Sequence, residues 1–307
     1  MSRGWLAGVL SLAIVAEAGA ADPCQLSARH KFTVLSNNVG IFPAAVTALY
    51  PAKLRDKKKE ILADEVERAA ALAKALREFA GDPDAILLQE IWSPSARDKL
   101  IRDLGPKYPH ARYPEVEQGD VALQPAGLLI CSKFPIERFA FREFTPGTGL
   151  DKLSRKGIAG IRLTIAGRPV ALFTTHLQAG AKRDPTIRPA QLRECHAFIR
   201  ELAPDSDHAT RILAGDFNID STDKRAYAEI FAQLPGARDS HRPGCGLGNR
   251  SVRPTENPDK RLDYLVTFDG VEAISQIVDP AGKQIADHLA VFATVSLDTA
   301  ALDRGGE

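Results

Sequence analysis

Ile212-Leu213-Ala214-Gly215-Asp216-Phe217-Asn218 runs apolar and then stops on a carboxylate and an amide. A run this short and this apolar reads as a strand buried on both faces. A helical pattern follows over Asp223 to Leu234. The same grammar recurs along the chain. Thr33-Val34-Leu35-Ser36-Asn37-Asn38 ends in amides, Ala85-Ile86-Leu87-Leu88-Gln89-Glu90 in a carboxylate, and Leu172-Phe173-Thr174-Thr175-His176 in an imidazole. Asp287-His288 stands just before the last apolar run.

Working outward, strands are predicted at 31–38, 84–90, 127–132, 157–165, 169–176, 211–216, 262–268, 273–278 and 289–297. Helices are predicted at 60–80, 95–104, 188–202 and 223–234. The first rests on Leu62, Val66, Ala69, Leu72, Leu76 and Phe79 at helical spacing, with Gly81 as the stop. Apolar strands alternating with helices imply α/β layering, with sheets covered by helices. Residues 236–260, with their Gly, Pro, Asn and Arg, read as an irregular exposed loop.

One polar strand end is ordinary, because strand ends meet solvent. Several on one chain of this layered kind converge on one rim and share a cleft. The set holds oxygen ligands for a hard cation such as Mg²⁺, and two histidines that can move protons near neutral pH.

Composition bounds the rest. With 44% hydrophobic and 26% charged residues, the chain reads as an ordinary globular protein. Its net charge of +1 lacks the basic excess of a protein that grips many phosphates, which argues against nucleic acid as the main partner. Residues 1–20 read as a signal peptide: Arg3, an apolar run from Trp5 to Val15, and Ala18-Gly19-Ala20 as the small-x-small site. That run is shorter than the about 20 residues of a membrane span. Cleavage near Ala20 implies a secreted or periplasmic protein of about 285 residues, enough for one sizeable core. The division expected is a signal peptide at 1–20, a leading segment at 21–30, one catalytic domain at 31–298 and a tail at 299–307. Cys24, Cys131, Cys195 and Cys245 allow up to two disulfides in three connectivities. None has zinc-ligand spacing, and Cys131, in an apolar run, reads as a buried thiol.

Taken in order, Asn38, Gln89-Glu90, Thr175-His176-Leu177-Gln178-Ala179, Gly215-Asp216-Phe217-Asn218, Leu262-Asp263-Tyr264 and Asp287-His288 resemble the motifs of the endonuclease/exonuclease/phosphatase superfamily. The resemblance spans residues 31–297 and implies a four-layer α/β/β/α sandwich with the site at one end of two packed sheets. Finer features are similar to the secreted bacterial neutral sphingomyelinases: Asp151-Lys152-Leu153-Ser154-Arg155-Lys156-Gly157, and Arg188 followed by Gln191-Leu192 and Phe198-Ile199. So are Tyr227-Ala228 with Phe231, Gly127 to Ile130 and Ser132 to Ile136.

That resemblance implies a monomeric, Mg²⁺-dependent phosphodiesterase, with Mn²⁺ or Co²⁺ as substitutes, cleaving sphingomyelin to ceramide and phosphocholine. By the same resemblance Glu90 is the main metal ligand with Asn38 beside it, and Asp287 is a candidate ligand for a second ion. His288 is the general base, oriented by Asp263. Asp216 positions the nucleophile or helps hold the ion. Asn218 and His176 donate to the phosphoryl oxygens, and Lys156 and Arg188 bind substrate.

The chain departs from the family in one place. Hemolytic members carry a long aromatic-rich hairpin before the final Asp-His; here Asp279 to Ala286 is short and holds no Trp or Phe. Membrane contact is therefore expected to be peripheral at most, with Ile41-Phe42-Pro43 or Ala48-Leu49-Tyr50 as substitutes at the rim. The competing readings are an endonuclease or inositol-phosphate phosphatase of the same superfamily, and a secreted binding protein without catalysis. His30, His110, His196, His208 and His241 fall outside the motifs and read as surface groups, as do Lys53, Arg55, Lys57, Lys58 and Lys59.

Overall fold

The computed structural model describes residue 22 and residues 24–298, apart from 44–63, 116–124, 146, 149–153, 181–183, 249, 253–259, 281, 283–284 and 287. The signal peptide, the basic run from Lys53, Ala48-Leu49-Tyr50, Asp151-Lys152-Leu153, Asp287 and the tail lie outside the described residues.

Two mixed sheets face each other. The first runs in the order β10 (His241–Gly246), β12 (Ala273–Val278), β13 (Ala290–Ser296), β1 (Lys31–Ile41), β2 (Ala85–Ile91), β4 (Leu129–Ser132), β3 (His110–Arg112). The second runs β5 (Arg138–Glu143), β6 (Gly157–Ile165), β7 (Arg168–His176), β8 (Thr210–Asp216), β11 (Asp263–Phe268), β9 (Ala237–Asp239).

Period-two alternation divides each central strand between two cores. On β8, Ile212 and Ala214 face the other sheet while Leu213 faces helices; on β2, Ala85 and Leu87 face inward while Ile86 and Leu88 face outward. The outer face of the first sheet is covered by α1 (Glu65–Glu78) and α2 (Pro94–Leu104), through Leu72, Leu76, Leu100 and Leu104. The outer face of the second is covered by α3 (Ile187–Leu202) and α4 (Lys224–Gln233), through Leu192, Phe198, Ile199 and Ile230. Helix, sheet, sheet and helix with three apolar interfaces make the expected four-layer α/β/β/α sandwich.

The differences from the sequence reading have local causes. Helix α1 begins at Glu65, where the Asp64 carboxylate caps it, accepting from the Val66 and Glu67 N–H groups; residues 60–63 of the expected helix lie outside the described residues. The segment 236–260 is not wholly irregular: β9 and β10 lie within it. A disulfide joins Cys24 to Cys245 on β10, while Cys131 and Cys195 are buried free thiols, so one bridge forms rather than two. Of the histidines outside the motifs, only His208 is exposed; the other four are half-buried. No helix among the described residues is long and apolar enough to cross a membrane.

Candidate active site

Strand register assembles the site. Strands β7 and β8 are parallel, with His176 beside Asp216, and β8 and β11 are antiparallel, with Asp216 opposite Asp263. His176, Asp216 and Asp263 therefore sit abreast on three adjacent strands. Alternation turns all three toward the facing sheet, in line with the inward Leu172, Ala214 and Leu265. On that facing sheet Asn38 closes the gap: its Nδ2 donates to Asp216 Oδ2 at 3.0 Å. Gly215 permits the crowding. It has φ of 147°, and a Cβ there would stand 2.0 Å from the Thr175 carbonyl oxygen.

Glu90 reaches the same point by breaking the alternation. Parity after the outward Ile86 and Leu88 would turn it toward the helices, yet Ile91 packs in that outer core instead. The switch falls at Glu90, whose φ of 59° lies in the left-handed region, sparsely occupied by residues other than glycine. Its Oε1 accepts from Asn38 Nδ2 at 2.9 Å. Asn38 thus aligns two carboxylates at once, and its own Oδ1 accepts from Gly40 N–H at 3.2 Å, which fixes which way the amide faces.

His288 meets Asp263 on the other flank. Its Nδ1 lies 2.7 Å from Asp263 Oδ2, and since a carboxylate only accepts, Nδ1 carries the hydrogen. Nε2 is left to face Asp216 Oδ2 at 4.0 Å. Ser251, fully buried, ties the two flanks together. Its Oγ accepts from the Leu262 and Asp263 N–H groups at 2.9 and 3.0 Å, and its carbonyl accepts from Leu289 N–H at 2.6 Å. The sequence places Ser251 only in the sequon Asn249-Arg250-Ser251, and nothing in that pattern points to the site.

On the third side Lys156 is buried, and its ammonium donates to His176 Nε2 at 3.2 Å and to the Leu177 carbonyl at 2.9 Å. Burial holds His176 well below the ordinary histidine range, with the Lys156 and His288 charges adding to the effect. An ammonium only donates, so Nε2 accepts from Lys156 and the ring hydrogen sits on Nδ1. Asn218, at φ of 53°, donates from Nδ2 to the Leu177 carbonyl at 3.0 Å, and its N–H donates to Asp216 Oδ1 at 2.7 Å. Arg188, in the first turn of α3, is half-buried; burial lowers its pKa, while the charges of Asp216 and Asp223 oppose that. Among the described candidates, Asn38, Glu90, Lys156, His176, Asp216, Asn218, Asp263 and His288 are linked by direct contacts, and Arg188 joins them by charge alone. Asp287 lies outside the described residues.

The donors suit a hard divalent cation. Ligand atoms of Glu90, His176 and Asp216 lie within 4.8 Å of one another, as do those of Asp216, Asp263 and His288. Burial raises the Asp216 carboxyl to about 7, the nearby Asp263 charge adding to the rise and His288 and the Asn38 hydrogen bond opposing it. A carboxylate that is costly to ionise where it stands, beside two more, is the setting in which a bound cation offsets the charge. Asn38 presents its nitrogen to both carboxylates.

Residues 57–288 match the endonuclease/exonuclease/phosphatase family, and the chain belongs to it. Within that family it is related to sphingomyelinases at modest identity. The sphingomyelinase C of Bacillus cereus is 26% identical over 227 residues, spanning 66% of this chain and 67% of that protein. The crystal structure of SmcL superposes with a TM-score of 0.70 at 20% identity, covering 87% of this chain and 99% of that one. A mutant beta toxin of Staphylococcus aureus with bound magnesium ions gives a TM-score of 0.70 at 18% identity, covering 87% and 100%. At those identities the solved structures speak for the fold alone.

Proposed function

We propose that this protein is an exported sphingomyelinase C, which uses one water to split sphingomyelin into ceramide and phosphocholine. The observation that carries the reading is the convergence of the His288–Asp263 pair on the cluster of Glu90, Asn38 and Asp216. The relatedness to the Bacillus sphingomyelinase C supports the choice of substrate.

In this reading His288 Nε2 takes a proton from water held between it and Asp216, across the 4.0 Å that separates them. The water oxygen bonds to phosphorus. The phosphorus–oxygen bond to ceramide breaks, and the ceramide oxygen leaves with the electron pair and takes a proton from solvent, while His288 later returns its own to solvent. Asp263 keeps the hydrogen on Nδ1 and stabilises the imidazolium that forms. Lys156 and Asn218, which both donate to the Leu177 carbonyl, bring positive charge and donors toward the phosphoryl oxygens, and His176 Nε2 holds the Lys156 ammonium beside them. Arg188 adds a second cationic group beside Asp216. A Mg²⁺ ion, or Mn²⁺ or Co²⁺, held by Glu90 and Asp216 would neutralise charge building on the phosphoryl group; Asp287 is the candidate ligand for a second.

Membrane contact in this reading is peripheral. Strands β12 and β13 pair with each other, and the turn between them, from Asp279, offers no aromatic residue to insert. Buried apolar area, at about 25 cal/mol per Å², would supply little hold there. Purified protein with Mg²⁺ should release phosphocholine from sphingomyelin micelles faster than from vesicles, and leave plasmid DNA and inositol phosphates intact. Turnover of DNA with none of sphingomyelin would move the chain to the nuclease branch.

A further inference from the structure

Arg68 on α1 is buried, at 5% exposure, far from solvent for so strong an ion. Burying a guanidinium is costly unless its donors are met in good geometry. Here main-chain carbonyls accept from both terminal nitrogens, though not from Nε. Nη1 donates to Gly40 O at 3.0 Å, and Nη2 to Val39 O at 2.9 Å and to Ile285 O at 2.6 Å. Val39 and Gly40 follow Asn38 on β1; Ile285 lies three residues before His288.

The placement matters because Arg68 joins β1 to the segment that carries His288. Among the described residues the β1–β13 ladder runs from Lys31 opposite Ser296 to Ser36 opposite Val291. Beyond it, the segment that leads to His288 meets β1 through side chains: Asn37 Nδ2 donates to His288 O at 3.3 Å, and Arg68 spans from β1 to Ile285. Asn38 and His288 are thus carried by neighbouring backbones that these side chains join.

We propose that Arg68 is a positioning residue for catalysis, a bracket that joins β1 to the segment leading to His288 and sets His288 at its distance from the Asn38, Glu90 and Asp216 cluster. It touches no reacting atom. The inference rests on reading His288 as the general base. An isosteric hydrocarbon would fill the same volume and pack as well, so stability alone does not call for a guanidinium here.

The test compares Arg68→Met and Arg68→Lys with the wild-type full chain, in three readouts. These are thermal unfolding, kcat and KM on sphingomyelin micelles with Mg²⁺, and the ring Cε1–Hε1 resonance of His288 without substrate, assigned from its loss in His288→Gln. The bracket predicts a shifted or broadened His288 resonance in Arg68→Met. It also predicts a kcat fall of about 10–100-fold with KM changed less than about twofold, as a displacement near 1 Å can produce. Arg68→Lys, which keeps the charge but reaches fewer carbonyls, should fall between. If Arg68→Met does not fold, the graded Lys effect on kcat and on the resonance carries the test. A folded Arg68→Met with an unmoved His288 resonance and wild-type kcat overturns the proposal, as does a loss confined to melting temperature or to KM. If wild type fails on sphingomyelin, the substrate reading falls, while the resonance still decides whether Arg68 positions His288.

Discussion

His288 Nδ1 stands 2.7 Å from Asp263 Oδ2, and the pair joins the two sheets: Asp263 opens β11 in one, and His288 stands just before β13 in the other. The pair fixes the ring's tautomer, so each member has a separable effect. His288→Ala should lower kcat by about 10²–10⁴, the range of a lost general base, with the melting curve preserved. Asp263→Asn keeps the shape but no longer forces the hydrogen onto Nδ1, and should lower kcat by roughly 10² or more. A folded His288→Ala enzyme at near wild-type rate would remove His288 from the chemistry.

Ser251 holds the Asp263 backbone through its Oγ and the Leu289 N–H through its carbonyl. Ser251→Ala leaves the Leu262 and Asp263 N–H groups without that acceptor, at about 1–3 kcal/mol for buried donors. Stability should fall by that order in urea titration. The fall in kcat should be larger than any change in KM, because the defect lies under the base pair rather than under substrate contacts.

Asp216 gives a pH-dependent signature in the metal-free protein. Its folded pKa is raised to about 7 by burial first and Asp263 second. Between the ordinary aspartate range and pH 7 the native state therefore binds more protons than the unfolded chain, and this group's contribution to stability declines as pH rises. Asp216→Asn removes the charge. In EDTA at pH 8 it should be more stable than wild type by at least about 1 kcal/mol. The gain should shrink toward pH 5, where Asp216 is already protonated. Equal stability at pH 8 would show that the carboxylate ionises there without strain.

The thiols divide cleanly. Burial pushes Cys131 up to about 12 and raises Cys195 further, the Thr175 hydroxyl opposing only in part, and Cys24 and Cys245 are bridged. Ellman's reagent should find no reactive thiol in the native oxidised protein and two in guanidinium chloride. Four in guanidinium would mean that the bridge had not formed.

The inner strands were legible because both faces are buried, which leaves unbroken apolar runs such as Ala85 to Leu88 and Ile212 to Ala214. The four strands the sequence concealed, β3, β5, β9 and β10, are the four edges of the two sheets. Edges are half-solvated, so Arg138 to Glu143 mixes charge with Phe, and β10 carries Pro243 and Gly244. The polar strand ends pointed to His176 and Asp216, which register sets side by side, while Asp263, opposite Asp216, came from the family resemblance. What the pattern hid was direction. Parity sends Glu90 the wrong way, and only its left-handed backbone returns it to Asn38. Arg68 and Ser251 were silent for a related reason: each acts through main-chain atoms, which leave no trace in residue type.

Glu90 gives the most direct measurement of the central claim. Phosphocholine release from sphingomyelin micelles should depend on Mg²⁺, cease in excess EDTA and return with added Mg²⁺. In Glu90→Gln it should fall by about 10² or more, while that variant still melts cooperatively, because an amide replaces the carboxylate aligned by Asn38 at 2.9 Å. Undiminished phosphocholine release in EDTA, or a folded Glu90→Gln protein with wild-type turnover, would contradict the account.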